Sequence, residues 1–313
     1  MELNKPILIA DDMHPALMQG LEQARIAFRY EPSISRTELI ASLPEIEGLV
    51  VRSKIHLTRE LLQLASHLKF IARAGAGMDN INTVAAAELG IKCINAPEGN
   101  RDAVGEHALG LLLGLTRNIN RSYSEVQKGQ WQREENRGEE LTEMTIGIIG
   151  FGHTGQSFAR KISGLGCEVL YFDKFNSGVP TPYAKEALLD EVYRRANVLS
   201  FHIPLEQGNE GLINRKLIES VVQPFYLLNL SRGGIMKTKD VLWGLENGRI
   251  KAAGLDVLEN EKPDQWTPEE RELMHQLNAT GRVIITPHIG GWTFSSYRKI
   301  SEVLLSKILT MLS

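Results

Sequence analysis

Short aliphatic runs alternate along the chain with segments whose apolar residues recur at helical spacing. Nine such runs occur, at residues 6–10, 48–51, 69–72, 91–95, 145–150, 168–172, 197–201, 225–230 and 283–286. Several of them lack polar alternation, which is typical of strands covered by helices on both faces. The pattern therefore predicts an α/β protein with parallel sheets built from βαβ units.

One long apolar segment indicates a boundary between two lobes. Residues 102–120 carry apolar positions at helical spacing and predict a long helix, followed by the polar, glycine-containing stretch 127–140. A new strand is expected from residue 145, and the last helical segment, 295–311, follows the last aliphatic run. We therefore expect the chain to start in one lobe, fill a second, and return to the first.

Composition limits the possible functions. A chain of 313 residues with 42% apolar and 23% charged residues suits about two folded domains. A formal net charge of −3 argues against nucleic acid or an anionic membrane as partner. The sequence has no leader pattern and no apolar run long enough for a membrane span, so a cytoplasmic protein is expected. Cys93 and Cys167 lack the spacing of a zinc site or redox pair, which predicts reduced thiols and no metal.

A glycine loop follows the run at residues 145–150. Gly150, Gly152 and Gly155 stand between a predicted strand and a predicted helix, as the GxGxxG dinucleotide fingerprint requires. The helix N-terminus would offer amide donors to a pyrophosphate. Asp173 ends the next strand, where a carboxylate accepts ribose hydroxyls and repels a 2′-phosphate, so NAD is favoured over NADP. An ordinary glycine turn is the alternative, and Lys174 leaves some room for NADP.

Three polar residues come from settings that resemble strand ends: Arg232, Glu261 and His288. Ligands of open α/β sheets bind beyond these ends. Arg232 suits a substrate carboxylate and the oxygen on C2, His288 suits the hydroxyl proton, and Glu261 suits orientation of the imidazole. The alternative is a solvated Arg and Glu with a structural histidine. Pro287 and the glycines after Arg232 favour the catalytic interpretation, because such residues form sharp turns.

Eight motifs carry a resemblance to a known family. They are VRSK at 51–54, KFIARAGAGMDNIN at 69–82, GNRDAVGEH at 99–107, GIIGFGHTG at 147–155, FHIPL at 201–205, NLSRGG at 229–234, GLDVLENE at 254–261 and TPHIGG at 286–291. On these motifs the chain resembles the D-isomer-specific 2-hydroxyacid dehydrogenases nearly end to end, and most of all the phosphoglycerate dehydrogenase branch.

The resemblance implies a fold and an assembly. It implies two flavodoxin-like or Rossmann-like doubly wound parallel-sheet domains, with the NAD domain inserted into a split substrate domain. We assign residues 97–285 to the NAD domain, and residues 1–96 with 286–313 to the substrate domain. The family also implies a homodimer joined through the NAD domains, and a catalytic set formed by Arg232, Glu261 and His288.

The same matching implies further contacts with NAD. Asp256 would hold the nicotinamide carboxamide, while His202 and Pro204 would line the nicotinamide ribose. In the glycine loop HTG replaces the more usual RIG and so removes an arginine. His153 and Thr154 still offer backbone amides to the pyrophosphate.

Implied substrate contacts lie mainly in the first third of the chain. They are Arg52, Ser53, Arg73, Ala76, Gly77, Asn100 and Arg133. The arginines of the RS and RAG motifs would bind a substrate phosphate, and the amides of the small residues would bind the carboxylate. Asn100 falls where a polar residue contacts substrate. Arg133 matches a segment that reaches the partner subunit's cleft, and the basic residues are expected to gather at one cleft.

The leading hypothesis is NAD-dependent oxidation of 3-phosphoglycerate to 3-phosphohydroxypyruvate, the entry to serine biosynthesis. A glyoxylate or hydroxypyruvate reductase, or another D-2-hydroxyacid dehydrogenase, is the alternative among enzymes. A dinucleotide-binding scaffold similar to the C-terminal binding protein corepressors is the alternative of another class.

Two departures from the family's usual sequence bear on these hypotheses. Trp292 stands where small residues are common and is expected to narrow or reshape the pocket. The sequence ends at Ser313 without the regulatory domains of longer phosphoglycerate dehydrogenases, so feedback inhibition by serine is not expected.

Overall fold

The computed structural model describes residues 2–206 and 208–313, which divide into two compact units. The first unit comprises Met1–Arg101 and Trp292–Ser313, and the second comprises Asp102–Gly291. The chain therefore leaves the first unit once and returns to it at its end. From the sequence, we expected the NAD domain to begin at residue 97 and to end at residue 285. The binding of substrate by the first unit stays a prediction.

The elements alternate between strand and helix almost throughout. Up to the crossing they are β1 (Ile7–Ile9), α1 (Ala16–Gln23), β2 (Phe28–Tyr30), α2 (Arg36–Ser42), β3 (Gly48–Val51), α3 (Arg59–Gln63), β4 (Phe70–Arg73), α4 (Thr83–Glu88), β5 (Lys92–Asn95) and α5 (Pro97–Thr116). The remainder are α6 (Ile119–Gln127), β6 (Thr145–Ile149), α7 (His153–Ile162), β7 (Glu168–Phe172), β8 (Lys185–Glu186), α8 (Leu189–Arg195), β9 (Val198–Phe201), α9 (Arg215–Ser220), β10 (Phe225–Asn229), α10 (Thr238–Glu246), β11 (Ile250–Leu255), α11 (Pro268–Ala279), β12 (Val283–Ile285) and α12 (Phe294–Leu312).

The first unit holds a five-stranded parallel sheet in the order β2-β1-β3-β4-β5. This is the flavodoxin-like order, whose connections reverse direction between β1 and β3. Successive side chains of β1 enter different cores, because they point to opposite faces of the sheet. Leu8 packs in one apolar cluster, and Ile7 and Ile9 pack in another with Leu304 and Ile308 of α12. The final helix thus completes the core of the unit in which the chain begins.

The second unit holds a seven-stranded parallel sheet in the order β12-β11-β10-β9-β6-β7-β8. This is the Rossmann order, with its reversal between β6 and β9. Apolar clusters cover both faces, which explains the near-continuous hydrophobicity of its central strands. The predicted fold class, two doubly wound parallel sheets with one domain inserted into the other, is confirmed.

The helix predicted over residues 102–120 differs from the observed one. Helix α5 begins earlier, at Pro97, and ends at Thr116. Asn118 adopts a left-handed conformation with φ of +52°, which breaks the helical path before α6 starts. The prediction of one helix up to residue 120 is therefore wrong. The crossing between the two units lies within α5 itself.

The two cysteines are not paired with each other. Cys93 and Cys167 are free and partly buried, and burial raises the pKa of both thiols. Among the described residues, no helix is both long and apolar enough to cross a membrane.

Gly99 and Gly110 of helix α5 predict opposite effects of the same substitution. A Cβ at Gly99 would lie 2.6 Å from the Cα of Ile300 in α12, whereas a Cβ at Gly110 meets nothing within 4 Å. We expect Gly99→Ala to lower stability by about 1–3 kcal/mol through overpacking. Gly110→Ala should raise it by about 0.5–1 kcal/mol, because alanine favours the helix. Thermal unfolding followed by circular dichroism tests this pair, and a Gly99→Ala protein that melts at or above the wild-type temperature contradicts the close packing.

Candidate active site

The glycine loop joins β6 to α7, and its three glycines have different surroundings. Gly150 has φ of +91°, and a Cβ there would lie 2.5 Å from the carbonyl oxygen of His202. A Cβ at Gly155 would lie 2.1 Å from the carbonyl oxygen of Gly150. A Cβ at Gly152, the N-cap of α7, meets nothing within 4 Å. The open space at Gly152 and the amides of the helix N-terminus fit a pyrophosphate.

Asp173 follows β7 and is held by backbone amides. Its carboxylate accepts hydrogen bonds from the amides of Phe151 at 2.6 Å, Phe175 at 2.8 Å and Asn176 at 2.8 Å. Partial burial raises the pKa of Asp173, but these bonds outweigh it and the net pKa is lowered. The carboxylate is therefore ionised beside the glycine loop, as a group that repels a 2′-phosphate must be.

The other residues predicted to contact NAD occupy contrasting environments. His153 and Thr154 open helix α7 and are exposed and half-buried, respectively. The ring of His202 is buried against Phe158 of α7, and its Nε2 lies 2.8 Å from the Ser200 hydroxyl. Pro204 is exposed. The contacts of these residues with the cofactor stay predictions.

Arg232, Glu261 and His288 follow three neighbouring strands of one sheet. They come after β10, β11 and β12, which are parallel and adjacent. Because parallel strands end at the same edge, the topology directs all three residues to the carboxyl edge of this sheet.

Glu261 and His288 form a hydrogen-bonded pair. The imidazole Nδ1 lies 2.8 Å from Glu261 Oε2, and both side chains are partly exposed. An ionised carboxylate only accepts hydrogen bonds, so Nδ1 must carry the hydrogen of this bond. In the neutral imidazole, Nε2 is then left as a proton acceptor.

A buried carboxylate holds the loop that carries His288. Asp256 is 2% exposed, and it accepts hydrogen bonds from the Thr286 hydroxyl at 2.6 Å and from the amides of Ile289 at 2.9 Å and Gly290 at 2.7 Å. His288 itself has φ of +54°, a conformation that costs a non-glycine residue about 1–3 kcal/mol. The bonds to Asp256 therefore hold the histidine in a strained backbone conformation. The contact of Asp256 with the nicotinamide carboxamide stays a prediction.

Hydrogen bonds from a buried asparagine and one close backbone contact fix the loop that carries Arg232. Fully buried Asn229 donates through Nδ2 to the Arg232 carbonyl oxygen at 3.1 Å and accepts from the Ser231 amide at 3.1 Å. A Cβ at Gly233 would lie 1.7 Å from the carbonyl oxygen of Leu258, so only glycine fits. This close approach ties the Arg232 loop to the segment that leads to Glu261.

The predicted substrate residues divide between the two compact units. Arg52 follows β3 and Arg73 ends β4 in the first unit, while Arg133 lies on an exposed turn of the second. The Arg73 guanidinium folds back onto its own loop, where Nη1 donates to the Ala74 carbonyl oxygen at 3.3 Å. Ser53 is exposed.

The remaining predicted substrate residues lie in the loop between β4 and α4 and in the first turn of helix α5. Ala76 and Gly77 are half-buried, and the Ala76 carbonyl oxygen accepts a hydrogen bond from Asn95 Nδ2 at 2.6 Å. The Oδ1 atom of Asn100 is buried without a hydrogen-bond partner among the described residues. A buried amide oxygen without a donor carries a free-energy cost that a ligand hydroxyl would relieve, which fits a substrate contact.

Some residues that hold the site were missed in the sequence. Asn229 and Thr286 belong to two of the sequence motifs, but the motifs alone gave neither residue a role in the site. His107 was also missed, although its Nε2 lies 2.9 Å from the Thr286 hydroxyl and 3.5 Å from Asp256. The available signal was their position, since each belongs to a motif that also contains a predicted site residue. Within residues 2–206 and 208–313 no group of three or more His, Cys, Asp or Glu side chains has the geometry of a metal site.

Comparison with known proteins identifies the class. Residues 109–290 match the D-isomer specific 2-hydroxyacid dehydrogenase, NAD binding domain. A hydroxypyruvate reductase from Thermotoga maritima is 34% identical over 277 residues, which cover 88% of each chain. A D-3-phosphoglycerate dehydrogenase from Archaeoglobus fulgidus is 31% identical over 97% of this chain, which spans 57% of that relative. The structure of TT0316 from Thermus thermophilus superposes with a TM-score of 0.82 and 27% identity, covering 98% of this chain and 96% of that one.

The chain therefore belongs to the D-isomer-specific 2-hydroxyacid dehydrogenases, a family of NAD-dependent oxidoreductases. The resemblance and the predicted cofactor, NAD, are confirmed. The relatives carry different substrate names, so the family alone leaves the substrate of this chain open.

Buried His202 predicts a pH-dependent stability. Burial lowers the pKa of His202 to about 4, from an ordinary value near 6.5. Between these values the unfolded chain binds a proton that the native protein does not, so stability falls as the pH falls. Replacement by an uncharged residue should remove about 2 kcal/mol of the loss between pH 7.5 and pH 5. Urea unfolding of wild type and His202→Asn at both pH values measures it.

The matched control is His275→Asn, because His275 is an exposed histidine of the same compact unit. That substitution should leave the wild-type pH dependence in place. If His202→Asn loses as much stability on acidification as the wild type, the histidine is not held neutral by burial.

Proposed function

We propose that this chain interconverts a D-2-hydroxy acid and the corresponding 2-keto acid with NAD. The observation that carries the proposal is the 2.8 Å hydrogen bond between His288 and Glu261. It pairs a proton acceptor with a carboxylate at the sheet edge to which Arg232 also belongs. The proposal assigns each of these groups a separate task in one oxidation.

In the direction of oxidation, His288 Nε2 accepts the hydroxyl proton of the substrate. Glu261 keeps the other ring proton on Nδ1 and stabilises the imidazolium that results. Arg232 binds the carboxylate through parallel hydrogen bonds and polarises the oxygen on C2. NAD, when bound, accepts the hydride that leaves C2. In the reverse direction His288 returns the proton to the C2 oxygen.

For the substrate we propose a phosphorylated acid, with 3-phosphoglycerate as the leading candidate and serine biosynthesis as the setting. Arg52 supports this proposal, because its guanidinium makes no hydrogen bond or ion pair with any described residue. A cation with its donors available suits a phosphate. The similarity to the Archaeoglobus fulgidus D-3-phosphoglycerate dehydrogenase also supports it.

Reduction of hydroxypyruvate is the second candidate. The Thermotoga maritima hydroxypyruvate reductase is 34% identical, and the match covers 88% of both chains. This reaction uses the same catalytic groups and a substrate without phosphate. The two candidates therefore differ in the need for a cation at Arg52.

We also propose that the chain forms a homodimer through its NAD-binding domain. Ile119, Tyr123 and Val126 are exposed on helix α6 at the spacing of one helix face. An exposed apolar face of this kind suits burial against another protein surface. The exposed turn with Arg133 follows the same helix.

A substrate panel tests the function directly. We expect kcat/KM for 3-phosphoglycerate with NAD to exceed the values for D-glycerate, D-lactate and 4-phosphoerythronate. Hydroxypyruvate with NADH should be a poorer substrate than 3-phosphohydroxypyruvate. A higher kcat/KM for an unphosphorylated acid refutes the substrate and favours the second candidate. Absence of turnover with every acid refutes the enzyme and favours a dinucleotide-binding scaffold.

Arg232→Ala tests the mechanism whatever the substrate. The variant should lose at least about 100-fold in kcat/KM, because a charge-assisted contact to the reacting oxygen is removed. NADH binding, followed by fluorescence, should stay near the wild-type value. Unchanged turnover contradicts the role given to Arg232.

A further inference from the structure

Two aromatic rings face the guanidinium of Arg52. The Cζ atom of Arg52 lies 4.3 Å from the centroid of the Trp292 ring and 5.7 Å from that of Tyr297. The two rings also meet edge to face, with 5.5 Å between their centroids. All three residues belong to the first compact unit. We call Trp292 and Tyr297 the aromatic bracket.

The start of helix α12 builds the bracket. Thr293 is the N-cap and forms a capping box with Ser296. Trp292 precedes the N-cap and Tyr297 is the fourth helical residue, the two positions that form a hydrophobic staple. The Tyr297 hydroxyl donates to Asp12 Oδ2 at 2.6 Å, which fixes the second ring. Burial and this bond raise the pKa of Tyr297, so the phenol is neutral.

The backbone of Arg52 is held as firmly as its side chain. Its amide donates to Asp11 Oδ2 at 2.8 Å, and its carbonyl oxygen accepts from Asn80 Nδ2 at 2.8 Å. Both partners are buried. Asn80 also donates to the carbonyl oxygen of Ile55 at 2.7 Å, which closes the loop after β3. The cation is therefore fixed at its base by buried polar groups and at its tip by the bracket.

Contact with aromatic rings leaves the charge and the N–H donors of the guanidinium available to a ligand. A carboxylate partner would accept the paired N–H groups and neutralise the charge. A ring face attracts the cation and takes up none of its conventional hydrogen bonds. Arg52 keeps both its charge and its donors, because the described residues supply no carboxylate within ion-pair distance of it.

The position of Arg52 in the sheet also points to a ligand. Arg52 follows β3, and Asp11 and Asp12 follow β1. In this strand order the connections reverse between β1 and β3, and ligands of such sheets bind at that point. The bracketed cation therefore stands at the reversal point, where open α/β sheets bind their ligands.

We infer that Trp292 is a positioning residue that fixes Arg52 for a phosphate-bearing substrate, and so sets the preference for phosphorylated over unphosphorylated acids. The inference rests on the proposed function and deepens it.

The test measures binding without turnover. Protein loaded with NADH is titrated calorimetrically with 3-phosphoglycerate and with D-glycerate, neither of which NADH can oxidise. Trp292→Leu should weaken 3-phosphoglycerate binding about 5- to 20-fold, because leucine keeps the hydrophobic staple and removes the ring face. Its Kd for D-glycerate should change less than about 2-fold. Trp292→Phe, which retains a ring, should recover most of the loss.

Two controls separate positioning from a structural effect. Trp243→Leu removes a similar contact, since Arg215 Cζ lies 4.2 Å from the Trp243 ring in the second unit, and it should leave both Kd values unchanged. In an Arg52→Met background, Trp292→Leu should have no further effect, because the group that it positions is gone.

Each remaining outcome is decisive. Wild-type affinity for 3-phosphoglycerate in Trp292→Leu overturns the inference, and so does an equal loss for both ligands or a loss that persists without Arg52. A wild-type protein that does not bind 3-phosphoglycerate overturns it as well. If the wild type binds 3-phosphoglycerate through Trp292 but does not oxidise it, the proposed function fails and the positioning role stands.

Discussion

The buried carboxylate of Asp256 is the constraint on which the geometry of the proposed catalytic histidine loop depends. A buried charge is costly unless hydrogen bonds compensate it, and here the Thr286 hydroxyl and two amides of the histidine loop supply them. The same bonds force the loop back over the end of β11 and give His288 its positive φ. Burial of one charge thus stores local strain at the residue proposed to move the proton. The bond to Glu261 then sets the orientation of the ring.

The parallel sheet places the histidine loop beside the other residues of the proposed catalytic set. Three adjacent strands deliver Arg232, Glu261 and His288 to one edge, and the Gly233 contact locks two of the loops together. The first unit follows the same principle at its own reversal point, where Arg52 is fixed between buried side chains and aromatic rings. In both units the groups that we propose to react or to bind substrate are on short loops, and the packed strands behind them restrict their positions. Within each unit, the protein's own contacts therefore hold these groups in place.

Much of this fold could be predicted from the sequence, because buried parallel strands consist of continuous runs of aliphatic residues. β2 and β8 were missed, since both are short edge strands with exposed residues. β11 was not among the aliphatic runs, because it contains a lysine, two alanines and a glycine. The early end of α5 follows from the left-handed backbone of Asn118, which periodicity does not encode. The glycine loop was predictable because its spacing is a local motif, in which Gly150 and Gly155 meet steric limits and Gly152 leaves open space. The bonds of Asp256 and the stacking of Trp292 on Arg52 depend on tertiary contacts instead.

The central claim is that Glu261 holds the His288 proton on Nδ1 and leaves Nε2 free to accept another. The most direct measurement is the nitrogen NMR spectrum of protein labelled at its histidines, recorded at high pH, with His288→Asn used to assign the signals. The account predicts that His288 is mainly the Nδ1–H tautomer, and that Glu261→Gln shifts the population toward the Nε2–H form. A wild-type His288 that is mainly the Nε2–H tautomer would contradict it.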